Sequence, residues 1–141
     1  MKKASRLFLL FLFLFIPGVF PSCKKFVQQQ EQNALINILT NGVWVVTNYS
    51  ENGNNITSAF SGYTFQFKSN GTVMGINGST VVNGTWAGDL NKRTITSDFP
   101  TAGTPIDKLN AVWTITDSYV DSVSANTIIN SQTDYLSMKK H

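Results

Sequence analysis

Tyr63, Phe65 and Phe67 alternate with Thr64, Gln66 and Lys68. A period of two sets three rings on one face of a strand and three polar groups on the other. Ser69-Asn70-Gly71 follows as a tight turn, and a second strand starts at Thr72. Two registers are open for this hairpin. A two-residue Asn-Gly loop sets Phe67 opposite Met74, which matches more apolar residues; a three-residue loop with a bulge sets it opposite Val73. The same alternation predicts strands at about 43–50, 62–68, 72–78, 80–88, 92–98, 109–117, 119–125 and 133–139. The turn signals between them are Glu51 to Asn55, Asn77-Gly78, Gly88 to Asn91 and Thr116-Asp117-Ser118. Short connections imply antiparallel neighbours, and closing the sheet removes its two edges. The pattern therefore predicts an all-β fold, an eight-stranded antiparallel up-and-down barrel with a short N-terminal helix.

Three inward rows can be read from the alternation: Tyr63, Phe65 and Phe67; Leu109, Ala111, Trp113 and Ile115; Val82, Gly84 and Trp86. Leu136 and Met138 extend the set, while 43–50 is apolar on both faces and its inward row stays undecided. Ahead of the strands, Ala34, Leu35, Ile38 and Leu39 form a narrow apolar stripe at helical spacing that stops at Asn41-Gly42. No Lys or Arg lines its polar face, so it predicts a plug for one end of the barrel rather than a membrane-surface helix. Irregular stretches at 51–61 and 99–108 are expected at the rim.

Residues 1–22 are set apart. Lys2, Lys3 and Arg6 precede an unbroken apolar run from Leu7 to Ile16, which Pro17-Gly18 ends. The run is shorter than the roughly 20 residues a spanning helix needs, and it reads as a secretory signal. Beyond it eight basic side chains face eight acidic ones. The positive excess belongs to the leader, and no basic field is left to attract nucleic acid. Cys23 is the single cysteine, so no internal disulfide can form. The chain divides into a leader at 1–22, a polar tether at 23–33 and one domain at 34–141.

Ser22-Cys23 resembles the cleavage site of bacterial lipoproteins, in which the cysteine becomes the acylated N-terminus. A free thiol beside an ordinary signal cleavage site is the alternative. Gly42-Val43-Trp44 resembles the Gly-x-Trp signature that opens the first lipocalin strand. Leu39 to Trp44, Phe60 to Phe65, Ser69 to Val73, Gly84-Thr85-Trp86, Leu109 to Trp113 and Thr133 to Leu136 are together similar to the lipocalin-like domain of small secreted lipoproteins from Bacteroidetes. That resemblance implies a barrel over roughly 35–139 and a lipid anchor on the outer membrane of the cell envelope. Lysines follow Cys23 with no acidic run, which gives no support for outward display and favours the periplasmic face. The late arginine that stacks on the first lipocalin tryptophan has no counterpart, since the one arginine after the leader is Arg93.

Chemistry is sparse. The one histidine is the terminal His141, and no Cys/His cluster, Ser-His-Asp set or phosphate loop occurs. The sequence predicts no catalytic residues, no metal, no cofactor and a monomer. Aromatic residues carry the remaining signal. Two roles are open: binding of a small hydrophobic ligand in the barrel, with Tyr63, Phe65, Phe67, Trp86 and Trp113 as wall residues, or an envelope interaction module that binds a protein or glycan through rim loops over a filled core. Large rings on short strands favour a filled interior; Gly84 and Ala111 are the arguments for leftover space.

Overall fold

The computed structural model describes residues 22–141, with side chains from Gln30 onward apart from Glu31. The leader lies outside the described residues except for Ser22, and so does the Cys23 side chain. A helix α1 (Ser22–Thr40) precedes nine strands: β1 (Trp44–Glu51), β2 (Asn54–Asn55), β3 (Thr64–Phe67), β4 (Thr72–Asn77), β5 (Thr80–Asp89), β6 (Thr94–Asp98), β7 (Ala111–Ser118), β8 (Ser122–Ile129) and β9 (Gln132–Lys140). Short 3-10 turns at Thr57–Phe60 and Ile106–Leu109 interrupt the two long connections. β2 is a two-residue return folded on the end of β1. The other eight strands run antiparallel in chain order, and β9 pairs back onto β1 to close the barrel.

Alternation places the core where expected. Phe65, Phe67, Trp86, Trp113, Ile115, Leu136 and Met138 are all buried in one cluster. Four expectations need correction. The first hairpin pairs Phe67 with Val73, not Met74. Gly71 takes the left-handed conformation at φ 83° and its N–H closes the turn on the Lys68 carbonyl, a three-residue loop with a glycine bulge. The last hairpin is displaced: β8 runs to Ile129 rather than ending near 125, because Asn130 and Ser131 both adopt positive φ and form a two-residue turn. Leu109 belongs to a 3-10 turn, not to β7, though it is buried as expected. Finally, α1 extends back through the stretch read as a tether; Lys and Gln are fair helix formers and no Gly or Pro interrupts them.

The undecided face of β1 has a geometric cause. Trp44 and Tyr49 are both fully buried although five residues apart. The ladder to β9 slips between Val46 and Asn48, so an extra residue at Thr47 switches the inward parity midway along the strand.

Both ends of the barrel are covered. At one end Leu35 and Leu39 of α1 are buried, and Gln32 ties the helix to β5 by donating to the Gly88 carbonyl at 2.7 Å and accepting from Leu90 N–H at 3.2 Å. The other end, the rim, is closed by the two long connections, which bury Phe60, Phe99, Ile106 and Leu109.

Candidate functional site

The interior holds a cavity of about 40 Å³, walled by side chains such as Leu39 of α1, Trp44, Phe65, Phe67, Trp113 and Leu136. A polar and roomy site needs only about 10–15 Å³ to seat a water, but an apolar one stays dry, and benzene enters a cavity of about 150 Å³. The one polar wall residue, Ser97, spends its hydroxyl on the Leu109 carbonyl. The space accommodates no ligand of more than a few heavy atoms.

Of the five wall residues expected from the sequence, Phe65, Phe67 and Trp113 face this cavity, whereas Tyr63 and Trp86 do not. Tyr63 is half-buried and stacks beside Phe65 at 6.4 Å, and Trp86 packs edge-on to Phe67 at 5.5 Å. Gly84 does not leave the room its missing side chain suggested. Phe99 fills it, and a Cβ there would lie 2.6 Å from the Phe99 ring and 2.5 Å from the Asp98 carbonyl oxygen.

The three tryptophans share a role that the strand pattern does not disclose. Each indole N–H donates to a main-chain carbonyl at the end of an element: Trp44 to Leu39 in the last turn of α1 at 2.9 Å, Trp86 to Lys68 at the first hairpin at 2.9 Å, and Trp113 to Leu109 at the second 3-10 turn at 3.1 Å. A buried indole needs such a partner. At α1 the bond also gives the Leu39 carbonyl the donor that a helix end lacks, whereas the Lys68 and Leu109 carbonyls accept it beside the bonds from Gly71 N–H and the Ser97 hydroxyl. The cation that covers the first tryptophan comes from the last strand: Lys140 Nζ sits 5.4 Å from the centre of the Trp44 ring.

Tyr49 organises the rim and was not singled out by its sequence context. Its ring stacks on Phe60 at 5.1 Å and meets Trp113 edge-on at 5.9 Å. Its hydroxyl donates to the Lys108 carbonyl at 2.8 Å, and its backbone N–H donates to Thr57 Oγ1 at 2.8 Å. One residue thus fastens both rim connections. Burial pushes the Tyr49 hydroxyl pKa well above its ordinary value, and the nearby Asp134, Glu51 and Asp107 carboxylates add to the shift. Lys108 Nζ and Glu51 Oε1 join the same two connections by an ion pair at 2.6 Å. Asp134, buried at the start of β9, accepts from Asn52 N–H at 3.0 Å and so holds the β1–β2 turn.

Among the described residues no group of three His, Cys, Asp or Glu side chains comes together as a metal site, and no helix is long and apolar enough to cross a membrane. Between the β1–β2 and β8–β9 turns lies a shallow groove of about 310 Å³ bordered by Glu51, Asn52, Asn54, Gln132 and Asp134. It is polar and open. The rim therefore offers amide, hydroxyl and carboxylate groups to the outside while the barrel behind it is full.

No family model and no curated protein matches the sequence. Among solved structures the chain is similar to a DUF4847 family protein from Bacteroides vulgatus ATCC 8482, with a TM-score of 0.55 and 16% identity over 76% of this chain and 97% of that one. The likeness is one of fold.

Proposed function

We propose that this chain is a lipid-anchored envelope protein without catalytic activity, an interaction module that binds a partner through its rim while the barrel serves as a rigid support. The observation that carries this reading is the interior itself: about 40 Å³ of apolar space, closed by α1 at one end and by the rim connections at the other. Small-molecule sites are usually several hundred Å³. That disparity weighs against a hydrophobic ligand held among Phe65, Phe67 and Trp113. The rim supplies exposed polar residues such as Asn54, Asn55, Ser58, Thr101 and Thr104 on connections that Tyr49 and the Lys108–Glu51 pair hold in place. A preorganised surface loses less entropy on binding than a loose one.

Site-specific photo-crosslinking in cells tests the role. A crosslinker placed at Asn54 or Thr101 is expected to yield one discrete adduct with an envelope component, and the same group at Thr85 on the barrel wall none. Equal labelling at all three positions would contradict a rim site. The anchor is tested separately. In the proposed arrangement Cys23 carries the lipid at the outer membrane, so Cys23→Ala is expected to move the protein from the membrane to the soluble fraction. Unchanged membrane association would contradict a lipid anchor at Cys23.

A further inference from the structure

Two seams of the barrel are incomplete. β1 and β3 share one paired position, Trp44 with Phe65. The chain repairs that gap itself: the first 3-10 turn and its lead-in lie along β1, where Ile56 N–H donates to the Tyr49 carbonyl and Thr57 Oγ1 accepts from Tyr49 N–H. The second seam, between β7 and β8, is left open. Their ladder runs from the bottom of the barrel up to Thr114 paired with Asn126 and stops. Above that point β7 continues on β6 as far as Ala111 paired with Ser97, and β8 continues on β9 as far as Ile129 paired with Gln132. The two strands fork toward the rim around an open groove of about 500 Å³.

The polar groups in the fork can be assigned. Ile115 N–H donates to the Arg93 carbonyl, so odd-numbered residues in this part of β7 turn their backbone toward β6 and even-numbered ones toward β8. On β8, the two-residue Asn130-Ser131 turn makes Ile129 and Gln132 the bonded pair that closes the hairpin, so Thr127 and Ile129 serve β9 while Asn126 and Ile128 face β7. Val112 and Ile128 would face each other if the ladder continued. They are not paired, and their N–H and C=O groups line the fork. Their side chains point outward and are 55% and 74% exposed.

We infer that this fork is a docking site for an extended segment of a partner polypeptide, which adds as a strand to the free edges at Val112 and Ile128. Unpaired strand backbone is recognised by strand backbone. Natural edges are usually guarded by a charge, a proline or a covering loop. None of the eight residues bordering this groove is charged or proline, and no described segment covers it. The lining is instead built of Ala, Val, Thr, Ile and Asn, which selects an uncharged incoming strand rich in β-branched residues. This rests on the reading of the barrel as a module that binds through its exterior, but the fork is a different surface from the loops at 51–61 and 99–108, and its test can fail while the crosslinking at those loops succeeds.

Amide hydrogen exchange followed by NMR on the domain in its full mature chain tests the inference, with a capped Thr-Val-Thr-Val-Thr pentapeptide as probe. In the free protein the amides of Val112 and Ile128 are expected to exchange rapidly while those of Thr114 and Asn126 are protected. Added peptide is expected to slow Val112 and Ile128 at least tenfold, and the same peptide with alternate amides N-methylated is expected to have no effect. Ile128→Lys, at an exposed position, is expected to keep the spectrum of the folded barrel and weaken peptide binding roughly tenfold. Protection of both amides in the free monomer would show the ladder closed and overturn the proposal. Equal binding of the N-methylated peptide would overturn it too, since apolar adhesion would then suffice. Protection that appears only as the protein dimerises would assign the fork to a second copy of this chain and defeat the partner-strand reading.

Discussion

Tyr49 shows how one side chain can couple two distant connections. Its hydroxyl reaches Lys108, 59 residues away, and its ring supports Phe60. Tyr49→Phe keeps the ring and leaves the Lys108 carbonyl without its donor, which is expected to cost about 1 kcal/mol in urea unfolding at pH 7. The substitution also has a pH signature. The folded state holds the phenol protonated above its usual pKa near 10. The contribution is thus complete below pH 10 and is lost as the pH rises above it, because the unfolded chain ionises first. Stability of the wild type is expected to fall between about pH 10 and 12, and the fall to be shallower in Tyr49→Phe; identical slopes would contradict the assignment. Gly84 makes the complementary case. Gly84→Ala forces a methyl group into the Asp98 carbonyl and the Phe99 ring and is expected to cost roughly 2–4 kcal/mol, whereas Gly103→Ala meets nothing within 4 Å and is expected to stay within about 0.5 kcal/mol of wild type. Thermal melts of the pair measure the contrast. Neither role was legible in the sequence, because a glycine on an inward row reads equally as a space and as the seat of a neighbouring ring.

Element by element, legibility followed the regularity of the backbone. Where the period of two is unbroken, as in β3 and β9, the alternation identified the buried face directly. It failed at β1, where the slip at Thr47 changes parity, and at the β8–β9 turn, where Asn130 and Ser131 adopt positive φ without a glycine to announce it. The register of the β3–β4 hairpin turned on which residue of Ser69-Asn70-Gly71 takes the left-handed conformation. Counting apolar matches favoured the wrong loop; the steric tolerance of Gly71 decided it. Helix α1 was legible as a plug from its stripe, though not its length. Its attachment rests on Leu35, Leu39 and the Gln32 bonds to β5. Leu39 also lines the cavity and supplies the carbonyl that Trp44 uses. Leu39→Ala is expected to destabilise the domain by about 2–5 kcal/mol and to enlarge the interior void. A change below about 1 kcal/mol in denaturant titration would mean that the helix contributes little to the closed end.

At the scale of the whole molecule, closure and filling are linked. An eight-stranded barrel has an interior that can be packed with side chains or kept open for one small ligand. Here rings from β1, β3, β5 and β7 enter from the walls, Phe60 and Phe99 enter from the rim, and Leu39 enters from the helix. The result is a barrel packed with side chains, with polar groups at the rim and a ladder between β7 and β8 that stops at Thr114 and Asn126. Among the described residues the barrel encloses no ligand-sized space, only about 40 Å³. Benzene titration followed by NMR of the Trp44 and Trp113 indole and Leu136 methyl resonances tests this filling, with Phe65→Ala as the cavity-bearing comparison. A filled interior predicts no saturable shift in the wild type and saturable binding in Phe65→Ala. Saturable benzene binding by the wild-type barrel would contradict it.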